Sequence, residues 1–195
     1  MSRVIVNQFI TLDGIVEDPD GSRGTEQGGW AWRDGGEAVA GDKARLRDVM
    51  ETATLLLGRS TWQLFAHIFP GGSDDFAIQM NRMPKLVVSS TLECVDEWSN
   101  STLLQGDLVD EVARRKTAQD LLVSGSRSVI QALMEHDLVD EYRLLVFPVV
   151  LGKGERLFPA GISPIDLEVV SAERSGAATL VIYRRARGPQ VHSSR

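Results

Sequence analysis

The stretch LLLGRSTW, residues 55–62, decides how this 195-residue chain is expected to fold. Three leucines are typical of a strand buried on both faces, and Gly58 ends that run. Ser60 and Thr61 are helix-capping residue types, so the pattern predicts a strand that turns at once into a helix. The first N–H groups of such a helix favour an anion beyond the strand, and Arg59 adds a planar, charged donor.

Two further strand ends carry glycine or hydroxyl side chains. KLVVSS ends at Ser89 and Ser90, and LLVSGSRSVI passes through Gly125 and Ser126 into a helix beginning near Arg127. Because parallel strands end at one edge of a sheet, the three turns are expected to form a groove for a dinucleotide. A plain strand-to-helix turn with an exposed arginine explains the first turn without a ligand. The chain lacks G-x-G-x-x-G, so an ordinary Rossmann site is not predicted.

Apolar runs of strand length alternate with segments of helical spacing. The runs lie at residues 4–10, 54–57, 86–89, 121–123 and 142–150. Two amphipathic helices are predicted around residues 108–113 and 129–134. This alternation predicts an α/β fold with a mostly parallel central sheet flanked by helices. Residues 165–185 contain two strand patterns around a Ser-Gly pair, which predicts a C-terminal antiparallel hairpin.

Length and composition indicate one folded domain, residues 1–186, followed by a flexible tail at 187–195. Hydrophobic residues make up 43% and charged residues 25% of the chain, as in ordinary globular proteins. A formal net charge of -6 argues against a nucleic-acid partner. No apolar run is long enough for a membrane span, and no signal-peptide layout is seen. We therefore expect a cytoplasmic protein without membrane attachment.

No metal site is expected from the cysteine and histidine pattern. Cys94 is the single cysteine, which excludes an internal disulfide, and a buried structural thiol is its expected role. His67, His136 and His192 are scattered and form no i, i+4 pair.

Taken in order, these motifs resemble the dihydrofolate reductase-like fold. The closer resemblance is to the reductase domain of bacterial riboflavin biosynthesis and its stand-alone relatives. It covers residues 4–184 and includes TLDGIV at residues 11–16 and the segment SGSRSVIQALMEHDLVDEYRLLVFPVVLGKGERLF. The resemblance implies NADPH as the cofactor, preferred over NADH. It places the phosphates at Arg59, Ser60 and Thr61 after Gly58, the adenosine 2′-phosphate near Ser89 and Ser90, and the pyrophosphate along Gly125, Ser126 and Arg127.

The resemblance also implies a substrate pocket at Asp13, Gly14 and Trp30. In the relatives the TLDG loop meets the nicotinamide, and a loop tryptophan meets cofactor or substrate. Plainer interpretations stay open, in which Asp13 caps a turn that Gly14 permits. Trp30 and Trp32 would then form a hydrophobic plug under the loop.

The substrate side departs from both named families. Dihydrofolate reductases use an acidic residue on the first helix to protonate the pterin. The corresponding region here contains four carboxylates that also fit solvated helix charges: Glu37, Asp42, Asp48 and Glu51. Riboflavin reductases usually carry a glutamate just before the glycine-containing loop, and we align Val123 with it. No deaminase zinc signature is present.

Three functional hypotheses follow. The first is an NADPH-dependent reductase acting on a small heterocycle of pteridine or pyrimidine type. The second is a nucleotide-binding protein of the same fold without reductase activity. The third is a structural homodimer in which residues 142–150 contribute an interface. A buried carboxylate near the nicotinamide position would favour the enzyme.

Overall fold

The computed structural model describes residues 2–186, and the tail predicted at residues 187–195 lies outside the described residues. The strands are β1 Val4–Thr11, β2 Thr54–Gly58, β3 Lys85–Val88, β4 Ser101–Leu103, β5 Leu121–Val123, β6 Glu141–Phe147, β7 Leu167–Ser175 and β8 Ala178–Arg185. The helices are α1 Glu37–Thr52, α2 Arg59–Ile68, α3 Asp75–Arg82, α4 Leu108–Arg115 and α5 Arg127–Glu135. A short 3₁₀ turn, Trp30–Trp32, lies between β1 and α1.

The strands form one eight-stranded sheet in the order β4-β3-β2-β5-β1-β6-β8-β7. The six strands from β4 to β6 are mutually parallel, whereas β8 runs antiparallel to both β6 and β7. The predicted mostly parallel α/β sheet and the C-terminal hairpin are therefore confirmed. Strand β4 was not predicted from the sequence, because it has only three residues, two of them polar, and so shows no hydrophobic periodicity.

Helices cover both faces of the sheet, so the central strands are buried on both faces. Leu56 of β2 packs with α4 and α5, while Leu55 and Leu57 pack on the opposite face with α1, α2 and α3. All three leucines are fully buried, and each contributes roughly 1.5–3 kcal/mol relative to exposure. The leucine run thus reflects a strand without a solvent face.

A buried lysine organises the end of α3. Lys85, the first residue of β3, donates hydrogen bonds to the carbonyls of Asn81, Met83 and Ser99 at 3.2, 2.8 and 3.0 Å. Its Nζ also lies 4.3 Å from the centre of the Trp98 ring. Burial lowers the pKa of Lys85 to about 8. The lysine joins α3 to the segment before β4.

One prediction about an individual segment is wrong, and another stays a prediction. Cys94 is exposed, because it lies in an irregular segment between β3 and β4 rather than in a core element. The segment proposed for a homodimer interface is mostly β6, which is hydrogen-bonded to β1 on one edge and β8 on the other. Within residues 2–186, the unpaired sheet edges belong to β4 and β7.

Candidate active site

The turns after β2 and β5 pack directly against each other. The Gly58 N–H donates to the Gly125 carbonyl at 3.2 Å, and Thr61 Oγ1 shares a hydrogen bond with Ser126 Oγ at 3.3 Å. A Cβ on Gly58 would lie 2.8 Å from the Ser126 Cβ and closer still to its Oγ. Glycine is therefore required here by close approach rather than by its backbone angles, since its φ is -75°.

The helices that follow these two turns have no side-chain cap. Gly58, the N-cap of α2, has no side chain to offer, and the side chain of Ser126, the N-cap of α5, accepts no first-turn N–H. The prediction that Ser60 or Thr61 caps the helix is wrong, because α2 already begins at Arg59. By contrast, Asp side chains cap α3 and α4. Helix α1 also lacks a side-chain cap, at Gly36, but only the uncapped N-termini of α2 and α5 contribute residues to the groove.

The groove between these turns has a volume of about 500 Å³, within the usual range for ligand sites. Its wall is rich in hydroxyl groups, and Arg59 is the one charged residue among the lining residues that the structure describes. These are Gly58, Arg59, Ser60, Val88, Ser89, Ser90, Thr91, Leu104, Gly106, Leu108, Ser126, Ser128 and Val129. The turns after β2, β3 and β5 thus form one groove, as the sequence predicts for parallel strand ends.

The end of the groove beyond β3 is pre-arranged by hydroxyl groups. Ser89 Oγ accepts the backbone N–H groups of Thr91 and Leu92 at 3.1 and 2.9 Å. Thr91 Oγ1 in turn accepts a hydrogen bond from Arg59 Nη1 at 2.8 Å. Thr91 escaped the sequence reasoning, because its partner is 32 residues away in the chain.

Arg127 is not among the groove-lining residues. Its guanidinium donates to Gln131 Oε1 at 3.1 Å and to Glu155 Oε1 at 2.9 Å. Gly125 is buried and is also absent from the groove lining; its φ is 96°, and a Cβ there would lie 2.9 Å from Thr61 Oγ1. Of the predicted pyrophosphate residues, the structure brings Ser126 to the groove wall.

Asp13 and Gly14 form a turn that ties together the loops after β1 and β6. The Asp13 carboxylate accepts the Thr11 hydroxyl at 2.7 Å and the N–H groups of Gly152 and Leu151 at 2.8 and 3.3 Å. The Thr11 hydrogen bond is the main cause that lowers the pKa of Asp13; burial opposes it by a smaller amount, and the Gly152 and Leu151 amides lower the pKa further. Gly14 has a φ of 86°. This geometry matches the plainer, turn-capping interpretation.

The two loop tryptophans have different environments. Trp30 is buried, donates from Nε1 to the Glu17 carbonyl at 2.8 Å, and packs edge-on against Phe147. It matches the predicted plug. Trp32 is 44% exposed and lies 6.0 Å from the Phe9 ring. Trp32, rather than Trp30, offers an aromatic face to a ligand.

Asp42 is the carboxylate that sequence reasoning misplaced. It is 2% exposed, whereas Glu37, Asp48 and Glu51 are exposed as solvated helix charges would be. Asn7 Nδ2 approaches its Oδ2 at 3.5 Å, and its buried Oδ1 has no hydrogen-bond partner in the described part of the chain. A signal was present, since Asp42 falls in the apolar stripe of α1: Ala38, Val39, Asp42, Leu46 and Met50.

Burial raises the pKa of Asp42, opposed in part by Arg143, the Asn7 hydrogen bond and Arg45. Arg143 lies on β6 directly beside Asn7 of β1. Its guanidinium donates to the Arg45 carbonyl at 3.1 Å and lies 3.9 Å from Glu141. The carboxyl group of Asp42 therefore keeps its proton to a higher pH than an ordinary aspartic acid.

Val123 cannot serve as a substrate contact. Its side chain is fully buried in the core cluster formed with α4 and α5, and Val123 is not among the groove-lining residues. Ser124, which directly precedes Gly125, is half-buried. The alignment of Val123 with the family glutamate stays a prediction.

Across residues 2–186, no group of three or more histidine, cysteine, aspartate or glutamate side chains could hold a metal ion. No helix in the same range is long and apolar enough to cross a bilayer.

The sheet order, the antiparallel hairpin and the groove at three parallel strand ends define a dihydrofolate reductase-like α/β protein. The sequence profile of the RibD C-terminal domain matches residues 2–181. The chain therefore belongs to the RibD C-terminal domain family, which confirms the resemblance found in its motifs.

Relatives in sequence cover nearly the whole chain. The Bacillus subtilis protein YyaP, named as uncharacterized, is 26% identical over 189 residues, covering 93% of this chain and 94% of YyaP. YwjB of the same organism, also named as uncharacterized, is 23% identical over 180 residues, covering 91% of this chain and 94% of YwjB.

Solved structures share the fold. A Shewanella sp. PV-4 protein, provisionally named for riboflavin biosynthesis, is 24% identical with a TM-score of 0.68, covering 95% of this chain and 99% of its own. RibD of Acinetobacter baumannii is 14% identical with a TM-score of 0.64, covering 95% and 58%. A pyrimidine reductase-like protein of Corynebacterium diphtheriae is 8% identical with a TM-score of 0.62, covering 95% and 92%.

Proposed function

We propose that this protein is an NADPH-dependent reductase that transfers a hydride to a small heterocycle of pteridine or pyrimidine type. The observation that carries the proposal is Asp42, a buried carboxyl group with one unpartnered oxygen on the sheet face beside β1. Membership of the RibD C-terminal domain family and the groove at the strand ends support the cofactor assignment.

The groove residues fit an anionic dinucleotide. The uncapped N-termini of α2 and α5 present first-turn N–H groups, which favour phosphate oxygens. Arg59 supplies a charged, planar donor, and Ser60, Ser89, Ser90 and Ser126 supply hydroxyl groups. When bound, NADPH would supply the hydride.

Asp42 would supply the proton. Addition of a hydride to the carbon of a C=N bond leaves a negative charge on nitrogen, which must gain a proton to give C–H and N–H. A carboxyl group whose pKa burial has raised can hold that proton at a higher pH than an ordinary aspartic acid and donate it. Asn7, at 3.5 Å from Oδ2, orients the carboxyl group.

The exposed ring of Trp32 beside Phe9 suits a flat substrate. Aromatic rings pack favourably on planar heterocycles, and Phe9 lies on β1 two residues beyond Asn7 on the same face. The proposed substrate is accordingly a planar ring that accepts a proton from the carboxyl group at one edge.

A nucleotide-binding protein without reductase activity is the alternative. The binding-protein alternative does not explain Asp42. A buried carboxyl group with an unpartnered oxygen lowers stability, and nucleotide binding alone does not require one. We therefore favour the enzyme.

The deciding experiment measures oxidation of NADPH by the purified protein with a panel of pterins and pyrimidines. The panel includes the ribosylamino-pyrimidine reduced in riboflavin biosynthesis. With an accepted substrate, Asp42→Asn is expected to lower kcat about a hundredfold or more while the Kd for NADPH stays unchanged. Asp48→Asn, on the exposed face of the same helix, is the matched control. Equal kcat for Asp42→Asn and the parent would remove Asp42 from the mechanism.

A further inference from the structure

Arg59 is a long, exposed side chain at the start of α2. A free arginine on a surface samples many rotamers, and holding it in one arrangement costs side-chain conformational entropy. Discrimination between two cofactors that differ by one phosphate requires the guanidinium to be at the right place before the ligand arrives.

The structure supplies such a restraint from the end of β3. Thr91 Oγ1 accepts a hydrogen bond from Arg59 Nη1 at 2.8 Å, which bridges the turn after β2 to the turn after β3. Thr91 is β-branched and therefore stiff at χ1. Its backbone is itself fixed, because its N–H donates to Ser89 Oγ at 3.1 Å.

The arrangement leaves the donors that a phosphate needs. A guanidinium carries five N–H donors, and Thr91 engages one of them. Ser89 Oγ accepts two backbone N–H groups, so its own proton remains for donation. Ser90 is exposed on the same turn and lines the groove. A guanidinium and two hydroxyl groups thus converge around one space.

We propose that Thr91 is a positioning residue that sets the preference for NADPH over NADH, by holding the Arg59 guanidinium beside Ser89 and Ser90. The proposal rests on the proposed function, because it concerns the ribose phosphate of the same cofactor. Thr91 itself acts through Arg59 rather than on the phosphate.

The test is a comparison of Kd for NADPH and NADH in the parent protein and four variants: Thr91→Val, Thr91→Ser, Arg59→Ala and the Thr91→Val/Arg59→Ala double variant. Thr91→Val keeps the shape and removes the acceptor, so the NADPH/NADH preference is expected to fall about three- to tenfold, as for loss of one hydrogen bond. Thr91→Ser is expected to keep the preference. Arg59→Ala is expected to lower it further, with no additional loss in the double variant.

The NADH affinity of each variant serves as the internal control for folding of the groove. An unchanged preference in Thr91→Val, an equal loss for both cofactors, or a loss that persists in the Arg59→Ala background would overturn the role of Thr91. A parent protein that binds neither cofactor would instead refute the proposed function, which separates the two failures.

Discussion

At the residue scale, function and stability oppose each other at Asp42. Its raised pKa means that the folded protein holds a proton that the unfolded chain releases once the pH exceeds the ordinary value of 3.8. The contribution of Asp42 to the free energy of unfolding is therefore greatest at low pH. It falls as the pH rises through the raised pKa and levels off above it.

We expect Asp42→Asn to stabilise the protein at neutral pH by about 1–3 kcal/mol, because an amide does not ionise and the unfolded chain then no longer gains free energy by releasing this proton. Each kcal/mol corresponds to roughly 2–4 °C in Tm for a chain of this size. Thermal melts across the acidic to neutral range measure the effect, with Asp48→Asn as control. A lower Tm for Asp42→Asn at neutral pH would mean that pairing with Arg143 outweighs burial.

Lys85 gives the opposite expectation. Lys85→Met removes the donor that Nζ supplies to the Asn81 and Met83 carbonyls at the end of α3 and to the Ser99 carbonyl before β4. We expect a loss of about 2–4 kcal/mol in the free energy of unfolding, measured by urea denaturation. Lys153→Met, which removes only an exposed ion pair with Glu26, should change the urea midpoint little. Similar midpoints for the two variants would contradict the role of Lys85.

At the scale of elements, the contact between the β2 and β5 turns decides whether the groove forms. Gly58→Ala places a methyl group against Ser126, and overpacking of this kind costs about 1–3 kcal/mol. We expect a lower Tm and weaker NADPH binding. Gly71→Ala is the control, since a Cβ there meets no atom within 4 Å. Wild-type NADPH affinity in Gly58→Ala would show that the two turns can separate without harm to the site.

The sequence predicts the elements well where local chemistry decides them. Leu55, Leu56 and Leu57 have no polar alternation, so a doubly buried strand was foreseeable, as was the hairpin turning at Ser175 and Gly176. Contacts between side chains that are distant in the sequence could not be predicted from local patterns. Arg59 meets Thr91 only because two parallel strands end side by side.

The substrate side was harder for the same reason. Asp42 and Asn7 are 35 residues apart, and their meeting depends on how α1 crosses β1. The position of Asp42 in the apolar stripe of α1 indicated that it faces inward. The prediction of an exposed side chain rested instead on the fact that most carboxylates in proteins are exposed. The two loop tryptophans differ only in tertiary packing.

At the scale of the whole molecule, cofactor binding should appear as added stability. NADPH at about 100 times its Kd adds about 2.7 kcal/mol, which corresponds to a rise of about 5–10 °C in Tm. Zinc or magnesium alone should not raise Tm, because residues 2–186 present no cluster of metal ligands. Thermal shift assays with each additive decide this. A Tm that NADPH leaves unchanged, or that a chelator lowers, would contradict the expectation.

The exposure of Trp32 has an optical consequence. Of the four tryptophans, Trp30, Trp62 and Trp98 are almost wholly shielded from solvent, whereas Trp32 is 44% exposed beside the proposed substrate position. Acrylamide should therefore quench mainly the emission of Trp32. Since reduced nicotinamide absorbs where indole emits, the intrinsic fluorescence of this one side chain can report ligand occupancy without any label.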